Sequence, residues 1–309
     1  MPNLRTVIIP VIIALAVMAA AVTFGATTPK VMNWPDLLDR PKPAADRTIA
    51  YGTDPLNVVD LWLPKGKPPF PVVLMIHGGC WQTDIADRSI MNWISDDLRR
   101  QGIAVWNIEY RGVDRGGGYP QTYDDVAQAA DLLTRDGTKY GLDARRSVVV
   151  GHSAGGHLGL WLGARRALPA SSRFHTRAMF KPTAIISQGG VPDLRMISAM
   201  PNHACGSDGA TAMAGIVSPA RPNIYADTSP PEMRQGGLAQ ILVNGDQDRV
   251  APSLFASDYR AKVKAKGGRV DVISVPNTGH VELIAPDTAA WAKQVTLIRA
   301  RLGLKPAGS

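Results

Sequence analysis

The stretch Val148-Val149-Val150-Gly151-His152-Ser153-Ala154-Gly155-Gly156-His157-Leu158 decides how the chain folds. Ser147 to Val150 reads as a short buried strand, Gly151, Ser153 and Gly155 match the pattern G-x-S-x-G, and Ala154 to Ala167 reads as a helix. Glycines suit such a strand-to-helix turn because it is strained and any Cβ there would collide with neighbouring strands. The turn lifts Ser153 clear at the top of a sheet. A serine hydroxyl is a weak nucleophile, so the same chain should supply a base and a third group to orient that base.

Working outward, β-rich runs occupy Arg47 to Gly52 and Asn57 to Leu63. Continuous apolar runs follow at Pro71 to Ile76, Ile103 to Ile108, Thr183 to Ser187, Ala239 to Val243 and Val270 to Val275. Unbroken apolar strands are expected where both faces of a sheet are covered. Between them, Val126, Ala129, Ala130 and Leu133 recur at helical spacing, as do Ile90, Ile94 and Leu98. This alternation predicts an α/β fold with a mostly parallel central sheet and helices on both faces. Ligands in such sheets bind beyond the carboxyl ends of the strands, so chemistry is sought just after each strand. About residues 191–235, rich in proline, interrupt the rhythm. They read as a partly helical cap insertion over the ligand end, because a structureless loop of that length is uncommon in a compact domain.

In this topology the chain order is serine, acid, histidine. His157, His175, His203 and His280 follow Ser153, and only His280 comes after a strand near the end of the chain. The strand ending at Val243 runs into Asn244-Gly245-Asp246-Gln247-Asp248, which offers two acids. Asp248 is preferred, because the Gly245 turn must first carry the chain over the sheet edge. Asp246 is read as capping the turn. After Ile76, His77-Gly78-Gly79-Cys80-Trp81 is a segment whose glycines let backbone N–H groups approach an oxyanion. The N–H of Ala154, next to the nucleophile, adds another donor.

With these residues on the page, the chain resembles the α/β-hydrolases of the esterase and lipase group, and within them the branch of kynurenine formamidase (arylformamidase) and related carboxylesterases. The likeness spans about residues 46–303 and rests on His77 to Trp81, Glu109 to Gly112, Gly116 to Pro120, Gly151 to Leu158, Gly245 to Pro252 and His280 to Ile284. It implies Ser153 as nucleophile, His280 as base, Asp248 as orienting acid, and Gly78, Gly79 and Ala154 as the oxyanion hole. It also implies that Trp81 lines the substrate pocket. The expected activity is cleavage of small carboxylic esters through an acyl-enzyme, without metal or organic cofactor. An arylformamidase or amidase acting on N-formyl aryl amines would use the same residues. A non-catalytic binding protein on the same fold is disfavoured by the intact set.

The whole chain has 309 residues, of which 45% are hydrophobic, enough for a sizeable core. Its 30 glycines and 24 prolines stay below the share of roughly 25–30% that marks low-complexity chains. A net charge of +8 invites a polyanion partner, but the basic residues come only in small groups such as Arg99-Arg100 and Arg145-Arg146, with no nucleic-acid-binding motif. Nucleic acid is therefore not an expected partner, and a small-molecule ester or amide is. Met1 to Arg5 followed by the apolar run Val7 to Ala21 reads as a signal peptide over residues 1–26, or else an uncleaved anchor that alone would touch a membrane. Residues 27–45 form an arm, residues 46–309 the catalytic domain, and the protein is expected to be exported. Cys80 and Cys205 are the only cysteines. Both should lie over the active site, as two free thiols or, as the alternative, a disulfide tying cap to core.

Overall fold

The computed structural model describes residues 30–306, so the expected signal peptide lies outside the described residues. The chain enters through α1 (Trp34–Leu38), a short helix with Pro35 in its first turn and the Asn33 N–H donating to Asp36. Then come β1 (Arg47–Ala50), β2 (Val58–Trp62), β3 (Phe70–Ile76), α2 (Asn92–Arg100), β4 (Ala104–Ile108), α3 (Gln121–Asp136) and β5 (Leu142–His152). The second half adds α4 (Ala154–Ala164), β6 (Ala184–Gln188), α5 (Leu194–Ser198), α6 (Asp208–Ala214), β7 (Ala239–Gly245), α7 (Ser253–Ala265), β8 (Val270–Val275) and α8 (Ala289–Arg301).

The eight strands make one sheet in the order β1-β2-β4-β3-β5-β6-β7-β8. β1 and β2 are antiparallel to their neighbours, and the six strands from β4 to β8 run parallel. All eight runs expected from the sequence are strands. β5 begins five residues before the expected Ser147, and its pairing with β3 shifts register between Pro71 and Val72. The unbroken apolar runs have a direct physical cause. In β3, Val72, Leu74 and Ile76 join a core with α3, α4 and α7, through Tyr123, Val126, Trp161 and Phe255. Val73 and Met75 on the opposite face join a second core with α2 and α8, through Ile94, Leu98, Trp291 and Ile298. Both faces are thus dry, and alternation would have placed polar groups in one of the cores.

The expected helix from Ala154 to Ala167 is α4 followed by a 3₁₀ turn, Arg165–Ala167. The insertion before β7 contributes α5 and α6 joined by turns, and α6 packs on the loop after β3. A Cβ added at Gly209 would lie 3.2 Å from the Cys80 carbonyl oxygen. Among the described residues, no helix is long and apolar enough to cross a membrane.

Candidate active site

Ser153 is the hinge between β5 and α4, with φ 53° and ψ −118°. The glycines flanking it are sterically required. A Cβ at Gly151 would stand 2.1 Å from the Gly155 carbonyl oxygen, and one at Gly155 would stand 2.2 Å from that of Ile76. The Ser153 N–H donates to the Gln188 carbonyl at 2.9 Å, which ties the strained turn to the neighbouring strand β6. Ser153 itself is only 3% exposed.

His280 comes from the loop after β8 and Asp248 from the loop after β7, and the His280 Nδ1–H donates to Asp248 Oδ2 at 2.7 Å. The other carboxylate oxygen accepts the N–H groups of Val250 and Ala251, each at 2.8 Å. Burial works against ionisation of Asp248, yet the His280 bond and these two N–H groups hold its carboxyl below the ordinary range. The second candidate acid, Asp246, is exposed and accepts the Thr278 N–H at 3.3 Å. Ser153 and His280 both line one cavity of about 320 Å³, together with Gly79 of the loop after β3. No hydrogen bond joins Ser153 Oγ to His280 among the described residues; in such sites the bond commonly tightens only when substrate docks.

The loop after β3 is held in an unusual backbone state, with φ of 103° at Gly79, 54° at Cys80 and 59° at Trp81. Gly79 takes this state freely, but two successive non-glycine residues with left-handed φ, Cys80 and Trp81, are costly unless the surroundings over-determine them. Here three contacts do so. Cys80 is disulfide-bonded to Cys205 of the insertion, with a Cα–Cα distance of 5.2 Å, so the expectation of free thiols is corrected. The pairing escaped the sequence reading because the partners are separated by 125 positions and meet only once the insertion folds back. His77 places Nδ1 2.7 Å from the Gly78 carbonyl oxygen and Nε2 2.7 Å from Glu109. Burial opposes the charge on Glu109, but the facing His77 ring and the N–H groups of Arg88 and Tyr110 hold its carboxyl below its usual value.

Trp81 supplies the third contact and a further correction. The expectation that it lines the substrate pocket fails: it is fully buried and its indole N–H donates to His157 Nδ1 at 3.2 Å. It braces the loop from the core side, its ring edge-on to that of His157 on α4 and close to Gly209 of α6. The cavity wall is built instead by Trp34 of α1, whose ring centre lies 6.3 Å from those of both His280 and His152. Sequence reasoning gave no role to Trp34, to Glu109, or to Glu282, which accepts the Gly279 N–H beside His280. Glu109 carried a signal, since it directly follows β4 at the ligand end of the sheet. Nothing local marked Trp34, which lies more than a hundred positions from Ser153.

Fold and site together define the chain as an α/β-hydrolase with a serine-bearing elbow between β5 and α4. The BD-FAE family model matches residues 59–262, and the chain belongs to that family. It is similar to the probable isoprenylcysteine alpha-carbonyl methylesterase ICMEL1 of Arabidopsis thaliana, at 32% identity over 79% of this chain and 52% of the relative. It is also similar to Esterase LipC of Mycobacterium tuberculosis, at 26% identity over 76% of this chain and 59% of the relative. The chain therefore spans about half to three-fifths of the length of these curated relatives. Among solved structures, esterase B from Lactobacillus rhamnosis superposes with a TM-score of 0.70 at 20% identity, covering 85% of this chain and 89% of that one.

Proposed function

We propose that the protein hydrolyses small carboxylic esters through an acyl-enzyme on Ser153. The observation that carries this reading is the 2.7 Å bond from His280 to Asp248 on the rim of the cavity that also receives Ser153. The esterase names of the relatives support it.

In this mechanism the Ser153 oxygen attacks the ester carbonyl while His280 takes the hydroxyl proton at Nε2. Asp248 holds the ring in the tautomer that leaves Nε2 free to accept, and it stabilises the imidazolium that forms. Charge on the tetrahedral oxygen is met by the N–H groups of Gly78, Gly79 and Ala154. The two glycines do not donate their N–H groups to any other protein acceptor among the described residues. His280 returns its proton to the departing alkoxide, and the alcohol leaves. Water, activated by the same histidine, then cleaves the acyl-serine ester and restores Ser153. Turnover of p-nitrophenyl acetate should fall by about 10⁵–10⁶ in Ser153→Ala. Retained activity in that variant would end the proposal.

An N-formyl aryl amine would engage the same three groups. Side-by-side turnover of an N-formyl aryl amine and an aryl acetate separates the two substrate classes, and the relatives' names favour the ester. Export is part of the same proposal, supported by the Cys80–Cys205 disulfide, which belongs in an oxidising compartment. Fractionation of the expressing cell, with recovery of the activity outside the cytoplasm, tests it.

A further inference from the structure

Resting on the esterase reading above, we propose that α1 forms a specificity wall that restricts the site to esters carrying an uncharged, apolar substituent. Among the described residues that line the cavity, none carries a formal charge at neutral pH as Asp, Glu, Lys or Arg. Trp34 and Leu38 of α1 face Ile85, Ala86 and Ile90 of the segment after the oxyanion loop, with Val250 nearby. His152, one of two histidines in the lining, is kept neutral by burial, which pushes its imidazole well below the ordinary range, helped by the neighbouring His280. A carboxylate or ammonium entering this space would lose its hydration and gain no partner, a cost that grows steeply with burial. An apolar group would be favoured in proportion to the area it hides.

The arm is built to stay in place. Leu37, on the inner side of α1, is fully buried in the core shared with α2 and α8. Glu282 accepts the Met32 N–H with one carboxylate oxygen and the Gly279 N–H, next to His280, with the other. Arg40 pairs with Asp287, and the Trp93 indole N–H donates to the Pro41 carbonyl at 3.1 Å. One carboxylate therefore joins the arm to the loop that carries the base. Trp34, Leu38 and Ile85 stay 38%, 43% and 58% exposed, so an apolar group filling the cavity would cover large side chains that now face water. With a volume of about 320 Å³, the cavity falls at the lower end of the roughly 300–1,000 Å³ found for ligand pockets, which suits a short to medium chain or a single ring. Because α1 lies before residue 59, this wall stands outside the stretch the family model matches.

The test measures kcat/KM of the full chain on p-nitrophenyl acetate, butyrate, hexanoate and hemisuccinate, and on ethyl, butyl, hexyl and choline acetate. The wild type should prefer hexanoate or hexyl acetate over its two-carbon counterpart by about tenfold. Which series shows the preference tells whether the wall receives the acyl or the alcohol side. The charged analogue on the side that shows the preference, the hemisuccinate against the butyrate for the acyl side or choline acetate against butyl acetate for the alcohol side, should be at least tenfold poorer. Trp34→Ala should cut the longer-to-shorter ratio by about tenfold, and Ile85→Ala, from the opposite wall, should lower it in the same sense. Circular dichroism and thermal melting identify any variant that fails to fold, and the Ile85 variant then carries the comparison. A flat wild-type profile, good turnover of the charged analogue on the preferred side, or an unchanged ratio in folded Trp34→Ala would overturn the wall while leaving esterase activity intact. Full activity in Ser153→Ala would instead overturn the reading beneath it.

Discussion

Acidification should loosen this protein through His157, and the size of the effect can be worked from the site. The ring is fully buried, accepts the Trp81 indole N–H at Nδ1 and donates from Nε2 to the Thr228 carbonyl at 2.8 Å. Burial pushes its imidazole from 6.5 down to about 4, against the opposing pull of the Thr228 carbonyl. Between those two values the unfolded chain binds a proton that the folded chain refuses. The stabilisation is therefore complete above 6.5 and is lost as pH falls through the folded value near 4. At roughly 1.4 kcal/mol per tenfold, the loss is about 2 kcal/mol by pH 5 and about 3 kcal/mol by pH 4. Protonating Nδ1 also removes the acceptor for Trp81, so the loop after β3 should lose its brace in the same range. Urea titrations of wild type and His157→Gln at pH 7.5, 6 and 5 isolate this group, since His152 and the carboxylates contribute equally to both. The wild type should lose about 2 kcal/mol more than the variant between pH 7.5 and 5. Parallel pH dependences would refute the linkage between protonation of this ring and folding.

Further outcomes follow from the same geometry. Asp248→Asn should fold normally yet lower kcat by about 10⁴, because an amide can hold the wrong His280 tautomer; steady-state kinetics with a short aryl ester reads this. Glu109→Gln should lower kcat more than it raises KM, by less than the roughly 10²–10³ lost when an oxyanion donor is itself removed, because it slackens His77 rather than the donor N–H groups. Cys205→Ser should cost on the order of 2–5 kcal/mol in denaturant unfolding, given the long loop the bond closes. Thiol titration of the unfolded, unreduced protein should find no free cysteine, and two free thiols would contradict the pairing.

The fold was legible because its evidence is local. The inner parallel strands β3, β4, β6 and β7 are covered on both faces, and that leaves an unbroken apolar run whatever the distant packing, whereas the edge strand β8 exposes Asp271 and Ser274. Ser153 was equally readable, since Gly151 and Gly155 are dictated by backbone atoms only a few ångströms away. The choice of Asp248 over Asp246 followed from how far the chain must travel past Gly245, and the structure puts Asp248, not Asp246, against His280. Long-range pairings were less legible. Trp81 follows two glycines beside the site and invites a pocket role, but on its left-handed backbone the side chain lies inward against His157. Trp34 sits in a proline-rich arm with no helical periodicity to announce α1, and it reaches the cavity only because Leu37, Glu282 and Arg40 dock the arm. The cysteine pair similarly depended on where the insertion lands.

The central claim is that Ser153 becomes acylated. Intact-mass and peptide mass spectrometry after brief incubation with a fluorophosphonate, or with an aryl ester quenched in acid, tests it directly. The account predicts one covalent adduct per chain, located on the peptide bearing Ser153 and absent from Ser153→Ala. No adduct from an enzyme that turns the ester over, or an adduct on another residue, would contradict it.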